Sequence, residues 1–361
     1  MSARERDISW LERAVTLALN GVNTTSPNPH VGCVFVRDGR VIGEGWHQWA
    51  GQGHAEVNAM AAAGGDVRGS TAYVSLEPCS WEGRTPACAR SLIAAGVARV
   101  VIAELDPHPR VRGSGVAMLR DAGIVVDIVE LASAQALNPG AKKRHATGLP
   151  YVRIKIAASL DGRTAMASGE SQWITGPAAR ADVQALRARS CAILTGVGTV
   201  LADDPALTVR DARFAVDGRL RQPLIVVADT HGRTPPTAKI LASSGGVLLA
   251  HGSNATGETP EGVATWRSDG ERIDLEQLLR HLAAREVNEV LVEAGATLVG
   301  AFLETPLWDE IVLYQAPRFL GADARPLAAI NFASLSATIG ARIAGHEQVG
   351  DDLKITLRPN R

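Results

Sequence analysis

His54-Ala55-Glu56, Pro78-Cys79 and Cys88 are the residues in this sequence whose types and order could do chemistry together. One imidazole nitrogen and two thiolates make three ligands suited to tetrahedral Zn²⁺, with the fourth position open to water. A catalytic zinc needs that opening, because the metal brings the pKa of water down toward about 7. Glu56, two residues past the His ligand, is placed to carry protons without binding the metal. A purely structural zinc would want a fourth protein ligand. Cys33 could supply one, but it lies inside the apolar run 31–36 and reads as a small core residue, as does Cys191. The remaining reading is a buried helix cap with two inert core cysteines.

These residues need elements to hold them. Apolar spacing predicts a helix over 10–19, and 24–29 (TTSPNP) is a turn-rich loop. Residues 31–36 and a second run from Val41 flank Asp38-Gly39 and form a hairpin. A helix over 55–63, stopped by Gly64-Gly65, puts His54 and Glu56 at its start. A strand over 72–76 leads into Cys79, and a helix over 87–95 begins at Cys88, where its N-terminus favours the thiolate. Strands at 97–103 and 124–129, with a helix around 117–121, complete an α/β first half. The polar, basic stretch 138–150 (NPGAKKRHATGLP) reads as a linker. Beyond it, strands at 152–157, 192–194, 224–228, 246–250, 289–292 and 310–316 alternate with helices at 178–188, 274–284 and 298–303. Two unlike α/β domains, 1–147 and 148–361, are the expectation.

Composition narrows the setting. The 361 residues carry 37 basic and 38 acidic side chains, a formal net charge of −1. That argues against a nucleic-acid or membrane surface spread over the whole molecule. Four cysteines in so long a chain suit a reducing compartment rather than a disulfide scaffold. The start MSARERDISW has charges where a signal peptide needs an apolar stretch, and no run of 18 apolar residues occurs. A cytoplasmic protein with no membrane partner is expected.

Zinc nucleobase deaminases share the signature H-x-E…P-C-x-x-C, with the Glu as proton carrier. Here eight residues separate the two cysteines. The segments 25–32 (TSPNPHVG), 54–57 (HAEV), 76–88 (LEPCSWEGRTPAC), 159–175 (SLDGRTAMASGESQWIT) and 199–210 (TVLADDPALTVR) together extend the match over almost the whole chain. The sequence resembles the bifunctional riboflavin-biosynthesis deaminase/reductase family. That resemblance implies a cytidine-deaminase-like three-layer α/β/α domain followed by a dihydrofolate-reductase-like α/β domain. It implies hydrolytic deamination of a diaminopyrimidinone ribosylamine 5′-phosphate with zinc held by His54, Cys79 and Cys88, and Glu56 as the catalytic residue. Asn28, His47 and Arg84 match positions that hold the pyrimidine and its phosphorylated sugar. The chain departs from the family pattern at Trp81, where His is common, at Pro86-Ala87, where two prolines are common, and at Ala141 in the linker.

The second half says less by itself. Gly196-Val197-Gly198 and 295–300 (GATLVG) each follow a strand, where free helix amides favour phosphate. Leu201 stands where a Rossmann fingerprint needs its third glycine. The resemblance implies NADPH, contacted by Ala157, Trp173, Thr199, Asp203, Thr230 and the run Gly295, Ala296, Thr297, Leu298, Val299, Gly300 and Ala301. Ser171, Arg187, Leu207, Arg210 and Glu293 would contact the substrate, the arginines facing its phosphate. Hydride transfer to the sugar C1 would convert ribosylamino to ribitylamino, with Lys155, Asp203, Glu293 or water as proton source. A homo-oligomer acting on small molecules, with no nucleic-acid partner, is expected. The competing reading, a nucleoside or tRNA deaminase fused to a nucleotide-binding domain, would share the zinc residues.

Overall fold

The computed structural model describes residues 2–81, 86–109 and 111–360. The chain divides into two compact units, Met1–Gly148 and Leu149–Arg361. In the first, the elements are α1 (Ala3–Ala18), β1 (Gly32–Arg37), β2 (Arg40–Trp46), α2 (Ala55–Ala62), β3 (Thr71–Val74), α3 (Cys88–Ala94), β4 (Arg99–Ile102), α4 (Ser114–Asp121), β5 (Val125–Ile128), α5 (Ala132–Gln135) and α6 (Pro139–Thr147). The sheet order is β2-β1-β3-β4-β5, with β1 antiparallel to both neighbours and β3, β4 and β5 parallel. Asp38 (φ 53°) and Gly39 (φ 73°) close the β1–β2 hairpin in the left-handed region that such a turn demands.

Period-two alternation along β1 sorts its side chains to two faces. Cys33 and Phe35 face a core with α2, α3 and α4, while Val34 and Val36 face α1 and α5. The result is a three-layer α/β/α unit. Helix α1 begins seven residues before the apolar pattern does, because Ser2 and Glu5 form a capping box. Asp7 on α1 is buried, accepting two bonds from Arg99 (2.9 and 2.8 Å) and one from the Tyr73 hydroxyl (2.8 Å). The Arg99 hydrogen bonds hold the Asp7 carboxyl below its usual pKa. A depressed folded-state pKa contributes stability above the ordinary value near ~4 that is lost as pH falls through the folded value. Asp7→Asn should therefore cost about 1–3 kcal/mol at pH 7. In denaturant unfolding, the gap from wild type should shrink below about pH 4.

One expected feature is corrected. The stretch 138–150 is no open linker, because most of it is helix α6. Pro139 sits at the first turn, where its missing N–H costs nothing, and Gly148 (φ 70°) ends the helix. The Asn138 side chain grips both backbone groups of His30 (2.8 and 3.1 Å), tying this helix into the first unit.

The second unit contains β6 (Tyr151–Ser159), β7 (Arg163–Ala165), α7 (Pro177–Arg189), β8 (Ala192–Gly196), α8 (Val197–Asp203), β9 (Leu224–Ala228), β10 (Val247–His251), β11 (Ala264–Arg267), α9 (Leu275–Ala284), β12 (Glu289–Glu293), α10 (Ala296–Leu303), β13 (Glu310–Ala316), β14 (Arg325–Pro326), β15 (Ala341–Val349) and β16 (Asp352–Pro359). Nine strands run in the order β11-β10-β9-β8-β12-β6-β13-β16-β15. The first seven are parallel and the last two antiparallel. Apolar clusters cover both faces, with α9 and α10 in one and α7 in the other. Arg153, in the middle strand, is buried between Glu289 (3.0 Å) and Glu310 (2.6 Å) of the flanking strands, so three parallel strands are pinned by one paired charge. No helix among the described residues is long and apolar enough to cross a membrane.

Candidate active sites

Helix α2 brings His54 and Glu56 to the first site. His54 is its N-cap, in extended conformation, and Glu56 lies in its first turn. The helix can lie on β2 because Gly43 and Gly45 have no side chains: a Cβ at either would stand 2.4 Å from Ala59 O or 2.6 Å from Ala59 N. Cys79 follows β3, and Cys88 is the first residue of α3. Their ligand atoms lie within 4.8 Å of one another. His54 Nδ1 is 3.2 Å from Cys88 Sγ and 3.6 Å from Cys79 Sγ, and the Cys88 backbone N–H donates to Cys79 Sγ (3.3 Å).

The electrostatics suit a cation. Hydrogen bonds from Cys88 and His54 pull the Cys79 thiol down to about 4, while the adjoining Cys79 thiolate pushes the Cys88 thiol up. One nitrogen and two sulfurs, the three donors that cluster here among the described residues, match a catalytic zinc donor set. Glu56 is 2% exposed, and its Oε2 has no hydrogen-bond partner. Burial, with the Cys79 thiolate second, raises its pKa.

His47 stacks edge-on to His54 with ring centroids 5.1 Å apart. Its Nδ1 bonds Gly53 O (3.0 Å), and burial lowers its pKa, favouring a neutral ring that donates from Nδ1. Its Nε2 then accepts from Asn28 Nδ2 (3.1 Å), leaving the Asn28 carbonyl to accept from a ligand. Asn28 and His47 are thus gathered beside the ligand cluster. Arg84 lies outside the described residues. Trp81 is 61% exposed.

Sequence reasoning passed over Glu77. Its buried carboxylate accepts from the backbone N–H groups of Asp106 (3.2 Å), Gly113 (2.9 Å) and Val116 (3.1 Å). These bonds hold the α4 N-terminus against Pro78-Cys79. The signal was its place in the Leu-Glu-Pro-Cys run, read only for its cysteine.

The second candidate site gathers at the carboxyl ends of β8 and β12 and at Lys155, midway along β6. Lys155 of β6 is paired in register with Glu293 of β12. Arg187 on α7 makes a two-pronged ion pair with Glu293 (2.6 and 2.9 Å) and donates to Thr208 O (3.2 Å). Desolvation lowers the Lys155 pKa, opposed by Glu293 and assisted by Arg187. Glu293 is held ionised by Arg187, Lys155 and Arg210 against its own burial. Arg210 is exposed, and its backbone N–H is anchored on Gln184 (2.8 Å).

Among the other expected contacts, Ser171 donates to Asp203 (3.2 Å), and the exposed Trp173 ring lies under the Arg180 guanidinium at 4.7 Å. Leu207, left-handed at φ 49°, turns its side chain into the core. Thr230 follows β9, and Ala157 is half-buried on β6. Thr199 Oγ1 is 3.9 Å from where a Cβ on Gly295 would stand, and a Cβ on Gly198 would meet nothing within 4 Å. Two glycine turns therefore leave room at the ends of the adjacent strands β8 and β12. Within the run from Gly295 to Ala301, Val299 is buried in the core and its N–H is taken by Gly295 O; a Cβ on Gly300 would collide with Ala329 O at 2.7 Å. Only the first-turn amides, at Ala296, Thr297 and Leu298, are placed to meet a phosphate. Space beside free amides at the carboxyl edge of a parallel sheet fits a dinucleotide.

Two family models match separate stretches of the chain. Residues 4–104 match the family described as cytidine and deoxycytidylate deaminase zinc-binding region, and residues 150–355 match the RibD C-terminal domain. The riboflavin biosynthesis protein RibD of Escherichia coli K12 is 50% identical over 332 residues, covering 89% of this chain and 90% of that one. The Haemophilus influenzae protein of the same name is 45% identical over 370 residues, covering 98% of both. In fold, the chain is similar to Acinetobacter baumannii RibD (TM-score 0.93, 44% identity, covering 99% of this chain and 100% of that one). It is also similar to a diaminohydroxyphosphoribosylaminopyrimidine deaminase/5-amino-6-(5-phosphoribosylamino)uracil reductase from Thermotoga maritima (TM-score 0.90, 31% identity, the same coverage).

Proposed function

The chain belongs to the RibD family of bifunctional riboflavin-biosynthesis enzymes, and we propose how its own residues divide the work. It is a deaminase and a reductase that uses Zn²⁺ and NADPH. We assign the deaminase to residues 1–147 and the reductase to 148–361. The substrate of the first is a diaminopyrimidinone ribosylamine 5′-phosphate, and the aminouracil it yields is the substrate of the second.

His54, Cys79 and Cys88 would hold the zinc, which when bound would supply Lewis acidity and bring the ionisation of water toward neutral pH. Glu56 takes a proton from the attacking water and delivers it to the departing amine, while the second water hydrogen ends on the adjoining ring nitrogen, so that N=C–NH₂ and water become HN–C=O and ammonia. The observation that carries this assignment is the unpartnered Oε2 of Glu56, buried beside the three ligands. Asn28 and His47 orient the pyrimidine, and Arg84 takes the sugar phosphate.

In the second unit, Ala157, Trp173, Thr199, Asp203, Thr230 and the turn from Gly295 to Leu298 would border NADPH, whereas Val299 and Gly300 of the expected run pack into the fold. Ser171, Arg187, Arg210 and Glu293 border the substrate, and Leu207, whose side chain is in the core, could meet it only through its backbone. Arg210, exposed beside the ion pair, takes the phosphate most directly, and Arg187 keeps Glu293 in place. Lys155 hands over the proton that accompanies hydride transfer to the sugar carbon, since Glu293 is held ionised. The enzyme works as a cytoplasmic homo-oligomer with no nucleic-acid partner.

Metal removal separates the two activities. Chelation should abolish NADPH oxidation when the diaminopyrimidinone phosphate is supplied, and leave it intact when the deaminated aminouracil is supplied. Loss with both substrates would overturn the assignment of zinc to the first unit alone.

A further inference from the structure

Around the amino ends of β6, β12 and β13, away from Glu293 at the carboxyl end of β12, charged side chains form a row across the nine-stranded sheet. Arg153 stands between Glu289 and Glu310, and Arg189 also reaches Glu289 (3.4 Å). Glu310 is fully engaged, taking Arg153 at 2.6 Å, the Tyr151 hydroxyl at 3.2 Å and Arg358 of β16 at 3.4 Å. Next in the row, Arg342 of β15 lies directly opposite Arg358, and like charges set opposite one another repel. Arg342 is exposed and has no ion-pair partner among the described residues. The row therefore ends in two neighbouring guanidiniums whose one carboxylate contact, at Glu310, is shared with Arg153.

Those two guanidiniums line a cavity of about 280 Å³ together with Tyr151, Asp309 and Pro359. That volume falls just below the roughly 300–1,000 Å³ of pockets for drug-sized ligands, so a small ion or a small ester fits it. Asp309 is the one carboxylate in the lining, and its Oδ2 is bonded to the Val152 backbone N–H (2.7 Å). The Tyr151 hydroxyl is given to Glu310, so what the cavity offers a ligand is chiefly guanidinium N–H groups. Planar guanidinium forks match the oxygens of a phosphate in pairs. An anion between Arg342 and Arg358 turns a repelling pair into a bridged one, and a doubly charged anion offsets both cations.

We propose that the cavity between Arg342 and Arg358 binds a phosphate dianion, free or carried on a small monoester, at a site separate from the reductase site. The test is equilibrium dialysis of the full chain against labelled inorganic phosphate at constant ionic strength, with glycerol phosphate as the competing ester. Phosphate held by Arg210 and any other substrate-binding group is common to every variant, so the readout is the difference between variants. Arg342→Ala and Arg358→Ala should each bind one phosphate fewer per chain than the wild type. Arg342→Lys should keep the site with affinity about tenfold weaker, a point charge replacing a fork. Arg342 is exposed, so the fold should hold, and unchanged circular dichroism and reductase kcat/KM would verify that. Displacement of the phosphate that Arg342→Ala cannot bind by less glycerol phosphate than inorganic phosphate would name an ester as the occupant, and the opposite order the free ion. Equal phosphate uptake by wild type and Arg342→Ala would overturn the proposal. So would chloride displacing that phosphate as readily as phosphate itself, since charge screening would then account for the binding.

Discussion

Replacing Glu56 by glutamine should cut ammonia release by about two to four orders of magnitude, with zinc content and the NADPH-dependent step unchanged. The substitution keeps side-chain volume in a pocket where Glu56 is 2% exposed, so packing is preserved. On this assignment it removes the group that accepts and returns a proton, and among the described residues neither neighbouring histidine offers a replacement. His54 would be spent on the metal, and His47 is committed through both ring nitrogens to Gly53 and Asn28. The metal should stay, because the three convergent donors are His54, Cys79 and Cys88. A buried carboxyl whose pKa burial has raised is not stabilising the fold through its charge, so the amide should unfold no earlier than wild type. Zinc analysis, ammonia release and NADPH oxidation with the aminouracil check the three parts. Ammonia release persisting near the wild-type rate would remove Glu56 from the mechanism.

Arg187→Ala should raise KM for the phosphorylated aminouracil and lower kcat/KM by about two orders of magnitude, with far less effect on NADPH affinity. Its two bonds to Glu293 are both inside the protein, the side chains being 12% and 8% exposed. Removing one partner of such a pair costs about 3–5 kcal/mol when the other charge is left alone. Here it is not left alone, because Lys155 lies in register beside Glu293 and Arg187 is one of the influences depressing the lysine. Without Arg187, Lys155 is the better partner for Glu293, and the fold should survive with the carboxylate displaced. Arg187→Lys should restore part of the loss, since a point charge replaces a two-pronged fork. Binding measured separately for NADPH and substrate decides the assignment. A larger loss for NADPH would move Arg187 to the cofactor side.

The cluster of His54, Cys79 and Cys88 was legible because three features agree in order: an H-x-E at a helix start, a Pro-Cys after a strand, and a Cys at the next helix start. Glu77, Gly43 and Gly45 were not legible, since their work is to satisfy or approach backbone groups that no spacing rule reveals. Helix α6 was hidden by Pro139 and Gly148, residues that read as loop signals although they sit at the positions where a helix accepts them. The β15–β16 hairpin escaped notice for a related reason. A bulge interrupts its alternation, and exposure along β15 leaves little apolar pattern to read. Arg153 shows the limit most plainly: a charge in the middle of an apolar strand gains its explanation only when Glu289 and Glu310 arrive from distant parts of the chain. The second site depended in the same way on Lys155, Arg187 and Glu293 meeting across three elements.

The central claim is that one chain performs both steps, deamination first. Supplying the diaminopyrimidinone ribosylamine phosphate with NADPH, and following ammonia and nicotinamide absorbance together, tests it in one vessel. Ammonia should appear first, NADPH loss should follow, and the two should end equal, one molecule of each per substrate consumed. Ammonia without NADPH loss, or NADPH loss preceding any ammonia, would contradict the account.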